Sequence, residues 1–458
     1  MSVAKSKNLE LLSDYKSHNQ YYKKFNTVAE WTEEWTFKKF KTDTFTHKIH
    51  KYPAMFIPQL ARKIIETYSK KNDLVLDIFN GSGSTMVECK LLERNAIGIE
   101  INPLANLIAK VKITNIDIEK ARQKLKTINE KFIDKNFKFK IIEFNNIDFW
   151  FKPNVKKMFS KILYQINSIK EQEIKDFFKV CLSEIVREFS ICNHSGFKMH
   201  RDKNKINKSV NKLDFIKKFN SVCDKNIYSL YEFINNTTNR NISKFIKGCT
   251  KKFYSQIGKE KVDLILTSPS YGDSHTTVAY GQFSRLSSQM LNLSLEGLDN
   301  IGKLDNNLLG GKTSKKNEYN KTVSKSLTLC NTVELFKTKI SALNKQKKEK
   351  IKMEKRLLDV LSFYYDLDIC LKNGIDYLKP GKHFVLVTGS RVVKMIKLHT
   401  DIIVSELAAN YNMKLISIFY RNIENKRMPN KVSATNIVGE KAPTMTKESI
   451  VVLKKLNT

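Results

Sequence analysis

Four short apolar runs constrain this chain more than any other feature: "LVLDIF" (74–79), "AIGIEI" (96–101), "VDLILT" (262–267) and "HFVLVTG" (383–389). Each is bounded by turn or capping residues and reads as a strand of one sheet. Two more, "KLISIFY" (414–420) and "SIVVLKK" (449–455), follow near the end. Between them lie helical patterns, such as "PQLARKIIETY" before the first strand and "TDIIVSELAANY" with Thr400 or Asp401 as its N-cap. Alternating strands and helices predict an α/β fold, a doubly wound and mostly parallel sheet.

Two insertions interrupt the alternation. Within 116–240, Ile174, Phe177, Phe178, Cys181, Leu182, Ile185 and Phe189 recur at helical spacing and predict a helical subdomain with its own apolar seam. The basic run "FKMHRDKNKINKSVNKLDFIKKF" (197–219) lies inside it. The second, smaller insertion (291–358) begins with a loop holding Gly302, Gly310 and Gly311 and ends in a Lys-rich helix, "LFKTKISALNKQKKEKIKMEKRLL". Such a run also suits a merely solvated helix face.

At 458 residues the chain can bury a large core. Lys and Arg number 81 against 46 Asp and Glu, a formal charge of +35, which attracts polyanions and nucleic acid first among them. An AT-rich genome would raise the Lys content without any such contact. The seven cysteines are scattered and include no CxxC, so neither a disulfide framework nor a Cys-rich zinc site is expected. Cys192, His194 and His200 lie close together in sequence but match no common metal spacing and read as loop residues. The N-terminal stretch has no apolar signal core, and no run is long enough to span a bilayer, so the expectation is a soluble, cytoplasmic protein without a membrane partner.

Two stretches carry the chemistry. In "DLILTSPSYGDS" a strand runs into a polar turn made of Ser268, Pro269, Ser270 and Tyr271, at the strand end where α/β sheets bind ligands. In "LDIFNGSGSTMVE", Gly81 and Gly83 permit a sharp turn and close approach of backbone to ligand, and Asp77 supplies an acceptor at the strand end. A dinucleotide fingerprint would need a third small residue where Met86 stands. Glu100, ending the next strand, can take both hydroxyls of a ribose, so a nucleoside without a pyrophosphate suits the set.

These motifs resemble the amino-methylating DNA methyltransferases that use S-adenosylmethionine, and among them the cytosine-N4 type. "DIFNGSGST" resembles their cofactor motif, "TSPSY" their SPPY catalytic motif, and "HKYPAMFIPQLARKII" the motif that closes the methionine end of the pocket. Further likeness runs through "YGDSHTTVAYGQFSRLS", "LLGG", "YLKPGKHFVLVTGSRVV" and "NKRMPNKVSATNIVGEKAPTMTKESIVVLKK". The resemblance implies a Rossmann-like methyltransferase sheet, with S-adenosyl-L-methionine held by Pro53, Asp77, Phe79, Asn80, Gly81, Gly83 and Glu100. Phe79 would pack on the cofactor, although a buried strand-end Phe reads the same way. Ser268 Oγ and the Pro269 carbonyl would accept from the reacting amine, and Tyr271 would stack on a base flipped out of double-stranded DNA. No metal is needed. Tyr280, Phe283 and Arg285 are candidates for the base or the broken strand, and Lys203, Lys205 and Lys208 for phosphate contacts. An apolar helix N-terminus would present the former residues equally well. Three positions depart from the family pattern: Ser270 replaces the second proline, Met55 stands where a lysine is expected, and Cys249 where an aspartate often contacts the adenine.

The expected organisation is an N-terminal arm (1–45), a cofactor half (46–115), a helical and basic insertion suited to target recognition (116–240), a catalytic-motif half (241–290), the second insertion (291–358) and the rest of the catalytic sheet (359–458). The implied function is site-specific methylation in a restriction-modification system, with a cognate restriction endonuclease as a further candidate partner. The alternatives are an adenine-N6 methyltransferase, for which Asp or Asn would usually open the catalytic motif, and a non-catalytic relative that binds DNA or cofactor. RNA is a third substrate to weigh, without any recognisable RNA-binding module.

Overall fold

The computed structural model describes residues 28–31, 33–38, 40–193, 196–238, 240–273, 276–294, 301–312, 316–343, 346–423, 431–432, 442–443 and 447–457. His194 and most of the segment 425–446 lie outside them. In chain order the strands are β1 (Val28–Trp31), β2 (Leu74–Asp77), β3 (Asn95–Glu100), β4 (Ser243–Lys247), β5 (Val262–Thr267), β6 (Leu378–Thr388), β7 (Arg391–Val393), β8 (Ile396–Leu398), β9 (Met413–Asn422), β10 (Lys431–Val432), β11 (Ala442–Pro443) and β12 (Lys447–Lys455). The chain divides into two compact units, the first Lys41–Thr250 with Ser274–Leu308, the second Met1–Phe40, Lys251–Asp273 and Leu309–Thr458.

In the first unit β2, β3 and β4 run parallel in that order, with Leu76 opposite Ile97 and Gly98 opposite Phe245. Val75, Leu76, Ile97 and Ile99 are buried, as expected of parallel strands covered on both faces. The helix Pro58–Tyr68 starts with proline at its first turn, where the missing N–H costs nothing. The helices Ile118–Ile133, Pro153–Asn167, Gln172–Phe189 and Lys212–Asn235 pack in the same unit, their core continuous with Leu104, Ile108 and Val111 beside β3. Their seam includes Ile174, Phe177, Phe178, Cys181, Leu182 and Ile185, all buried, with Phe189 partly buried beside them. Phe159 meets Phe215 edge-on, ring centres 4.9 Å apart, a geometry that aromatic quadrupoles favour.

In the second unit the strand order is β1-β9-β12-β6-β5. β1 pairs parallel with β9 and β5 with β6, while β12 runs antiparallel to both of its neighbours. Ile450, Val451, Val452 and Leu453 at the centre of β12 are fully buried, which explains that run's unbroken apolar character. β7 and β8 form a short antiparallel ribbon, as do β10 and β11.

The fold is thus the expected mostly parallel α/β sheet with a helical insertion. Several details differ. β6 begins at Leu378 rather than near His383, since "LKPGK" continues the strand despite its polarity. β4 was not foreseen, because "SKFIK" buries only Ile246. The stretch 335–358 is not one helix: Leu327–Ala342 and Lys347–Tyr377 are separate. Each has its own apolar face, Leu329, Val333 and Phe336 in one and Val360, Tyr364, Leu367 and Leu371 in the other, and Lys347, Lys348, Lys350, Lys352 and Lys355 fall in the first turns of the second. The helix Thr400–Ala409 is preceded by His399 at the cap position, one residue earlier than Thr400. Among the described residues no helix is long and apolar enough to cross a membrane.

Candidate active site

The turn after β2 is built by its own hydrogen bonds. Asp77 accepts from the Phe79 N–H (3.0 Å) and from the Thr85 hydroxyl (2.6 Å), so its carboxylate shapes the turn from within. The Gly83 N–H returns to the Asn80 carbonyl at 2.9 Å. Gly83 has φ +82, and a Cβ there would lie 2.7 Å from Ala109 Cβ, so only glycine lets the following helix pack against Pro103–Ile113. Glu100, half-buried at the end of β3, accepts from the Gly81 N–H (2.8 Å) and the Asn102 N–H (2.7 Å). Burial pushes its carboxyl up to about 7, against the pull of those two amide bonds.

Asn80 is the telling residue. Its side chain is buried, yet among the described residues neither the amide nitrogen nor the amide oxygen has a partner. Its room comes from Gly98 across the strand pair, where a Cβ would sit 2.5 Å from Asn80 Cγ. A buried, unsatisfied amide costs free energy that a ligand's donors and acceptors can recover.

Asn102 ties this turn to two other elements. Its Oδ1 caps Pro103–Ile113 through the Leu104 N–H (3.1 Å), and its Nδ2 donates to the Tyr52 hydroxyl (2.9 Å) and to Ser284 Oγ (3.0 Å). Tyr52 stacks on Tyr280 at 6.0 Å and meets Phe283 edge-on at 5.8 Å. Burial raises the Tyr52 and Tyr280 hydroxyls above the usual tyrosine range. Pro53, next to Tyr52, is buried, while Met55 is exposed. Sequence reading missed Asn102, although an Asn-Pro pair directly after a strand is a helix-start signal.

Beneath the turn lies a buried charged cluster. His47 Nε2 and Arg62 Nε hold Glu88 at 2.8 and 2.7 Å, and His50 Nδ1 is 3.5 Å from Glu184. Lys112, fully buried, reaches Ser82 Oγ at 3.4 Å. Burial drops its ammonium to about 7 despite the attraction of Glu184.

In the second unit β5 is buried along its whole length and delivers the polar turn at its end. Ser268 and Ser270 are half-buried and Pro269 is buried. Among the described residues none hydrogen-bonds the Ser268 hydroxyl. The Tyr271 hydroxyl donates to Glu448 Oε1 at 3.0 Å. Asp273 accepts from Arg391 Nη1 at 3.0 Å, and a Cβ on Gly272 would overlap that guanidinium. A small cleft beside Tyr271 is lined also by Asp359, Phe363, Tyr364 and Thr400.

The remaining candidates divide clearly. Arg285 donates to the Gly302 carbonyl at 2.8 Å. The Lys205 ammonium sits on the carbonyls of Arg187, Glu188, Ser190 and Cys192, at 2.9–3.2 Å, which ties down the end of the helix Gln172–Phe189. Lys203 and Lys208 are exposed. Cys249 is half-buried. Among the described residues no group of three or more His, Cys, Asp or Glu could hold a metal ion.

Parallel strands ending on a glycine turn and, one strand over, on a carboxylate place the chain in the class of Rossmann-like methyltransferase folds. Comparison with known proteins narrows this. Residues 3–110 match the family described as DNA methylase. The type II methyltransferase M.MvaI of Kocuria varians is 38% identical over 465 residues, covering 97% of this chain and 99% of that protein. The type II methyltransferase M.MjaII of Methanocaldococcus jannaschii is 36% identical over 116 residues, 22% of each chain. The chain belongs to the family of amino-methylating DNA methyltransferases.

Proposed function

We propose that this chain transfers a methyl group from S-adenosylmethionine to the N4 amine of a cytosine flipped out of duplex DNA, as the modification enzyme of a restriction-modification system. The observation that carries the reading is the turn after β5, opened by the neutral hydroxyl of Ser268 and followed by the rigid Pro269 carbonyl. An exocyclic amine is a weak nucleophile because its lone pair is drawn into the ring. Two acceptors aimed at its protons favour a pyramidal nitrogen and let positive charge build there. A neutral hydroxyl in the first position is the cytosine-N4 pattern.

The bound sulfonium supplies an activated methyl group. Asn80, unpartnered and buried, and Glu100, half-buried with lone pairs to spare, fit the hydroxyls and polar edge of a nucleoside. Phe79, half-buried beside them, offers an apolar face. The exposed Lys203 and Lys208 and the net charge of +35 suit a phosphate backbone, where affinity comes with counterion release.

A pH dependence follows from Glu100, whose carboxyl sits at about 7. Ribose hydroxyls donate to the ionised form, so the cofactor binds the deprotonated protein preferentially. Affinity should therefore fall as pH drops below about 7, approaching tenfold per pH unit, and level off above about 8. By the same linkage the ligand-free protein loses stability as pH rises from 4.5 through about 7, because the folded state holds a proton that the unfolded chain releases. Calorimetric titration of the cofactor from pH 5.5 to 8.5 checks this, with Glu100→Gln expected to flatten the profile; an unchanged slope in that variant rules Glu100 out.

The product assay tests the whole reading. The protein is incubated with labelled S-adenosylmethionine and a random-sequence duplex library, and the nucleosides are separated by mass spectrometry. N4-methylcytosine is expected. N6-methyladenine would transfer the assignment to the adenine enzymes, 5-methylcytosine would overturn the mechanism, and an unmodified library would favour a non-catalytic relative.

A further inference from the structure

The catalytic turn of the second unit is held at both ends by charged residues far from it in sequence. At one end Arg391 fixes Asp273 and fills the space that a side chain on Gly272 would occupy. At the other end stands Tyr271. Its hydroxyl reaches Glu448 Oε1 at 3.0 Å, and the other oxygen of that carboxylate lies 3.6 Å from Arg421 Nη1. Glu448 and Arg421 face each other directly across the antiparallel pair β12 and β9, so the strand register itself aligns them.

Arg421 is unusual for a guanidinium. It is fully buried, and among the described residues its Nε and Nη1 have no hydrogen-bond partner and its Nη2 makes a long bond to the Asn422 carbonyl at 3.4 Å. A buried cation of this kind is expensive unless a neighbouring anion offsets it, and Glu448 is the anion paired with it. Desolvation raises the Glu448 carboxyl, with Arg421 and the Tyr271 bond opposing that rise. The pair therefore keeps an acceptor in β12 aimed at the catalytic tyrosine.

We propose that Glu448, braced by Arg421, is a positioning residue for the target base: it locks the Tyr271 ring so that its face is ready for the flipped base. The proposal rests on the reading of Tyr271 as the stacking platform. Losing the Glu448 bond would release the hydroxyl end of the ring, and a platform off by about 1 Å misplaces the amine relative to the methyl group, at a cost of up to about a hundredfold in rate. Glu448 touches neither base nor cofactor and acts only through the tyrosine hydroxyl.

The experiment uses the full chain, a duplex carrying the target site mapped by the product assay, and 2-aminopurine at the target position as a fluorescent report of base extrusion. Tyr271→Phe removes the hydroxyl while leaving the ion pair intact, so it reads the contact even if Glu448→Ala, which strands Arg421, fails to fold. Tyr271→Phe should lower kcat about ten- to a hundredfold and reduce the 2-aminopurine signal, with cofactor affinity unchanged. Glu448→Gln, which retains an acceptor oxygen, should stay within about threefold of the parent. Glu448→Gln combined with Tyr271→Phe should be no slower than Tyr271→Phe alone. Tyr271→Phe at parental kcat, while Tyr271→Ala is inactive, would overturn the positioning role and leave the platform standing. Tyr271→Ala at parental kcat would overturn the platform itself. Losses that multiply in the double variant would also overturn the proposal, since the two residues would then act separately.

Discussion

Ser268→Ala is expected to lower the single-turnover methylation rate by about ten- to a thousandfold while leaving cofactor affinity unchanged. The hydroxyl is half-buried at the end of a fully buried strand, and none of the described residues competes for it. Its removal deletes one small polar atom from a turn whose geometry is set elsewhere, by Arg391 on Asp273 and Glu448 on Tyr271. The loss therefore falls on the transition state, where charge builds on the amine, rather than on the ground state. KM for DNA should move little, and circular dichroism should match the parent. A rate within about threefold of the parent would mean that the Pro269 carbonyl alone serves the amine, and the assignment of Ser268 would fall.

Local grammar accounts for what the sequence disclosed. The Pro58–Tyr68 helix is legible to the residue because proline starts it and its apolar spacing is regular. The turn after β2 is legible because only glycine tolerates φ +82 beside Ala109. Long-range partnerships were hidden. Tyr271 and Glu448 are 177 residues apart, and nothing in "TKESIVV" marks that glutamate as different from a surface one. Arg421 likewise sits in a strand pattern that gives no hint of a buried cation. Lys205 shows the converse case: within a Lys-rich run it looks like its neighbours, yet its ammonium closes off four backbone carbonyls. Composition records how many charges a segment carries, and only tertiary structure says which of them face water.

Replacing Lys112 by methionine should stabilise the protein. The side chain is fully buried at the end of the helix Pro103–Ile113, with Ser82 Oγ at 3.4 Å as its contact. Glu184 and the carbonyl end of its own helix favour the ammonium, whereas His47 and His50 near the same site are lowered mainly by burial and further by Lys112. Desolvation outweighs the favourable terms, and the drop from the usual 10.5 to about 7 corresponds to an upper limit of about 5 kcal/mol. Between those two values the unfolded chain holds a proton that the folded one has given up, so stability rises with pH across that window, and below about 7 the penalty is present in full. Methionine fills nearly the same volume without the charge, and a gain of about 1–4 kcal/mol is expected near pH 6.5. By pH 9 the gap should have narrowed by up to about 2.5 kcal/mol, since the parent recovers stability there and the variant does not. Urea denaturation at the two pH values measures both quantities. A variant less stable than the parent at pH 6.5, or a gap that ignores pH, would show that Glu184 and Ser82 fully compensate the buried charge. The same variant also probes why the cost persists under the cofactor turn: Ser82, deprived of its partner, sits between the two glycines that set that turn, and a stabilised protein with weakened cofactor binding is the expected result.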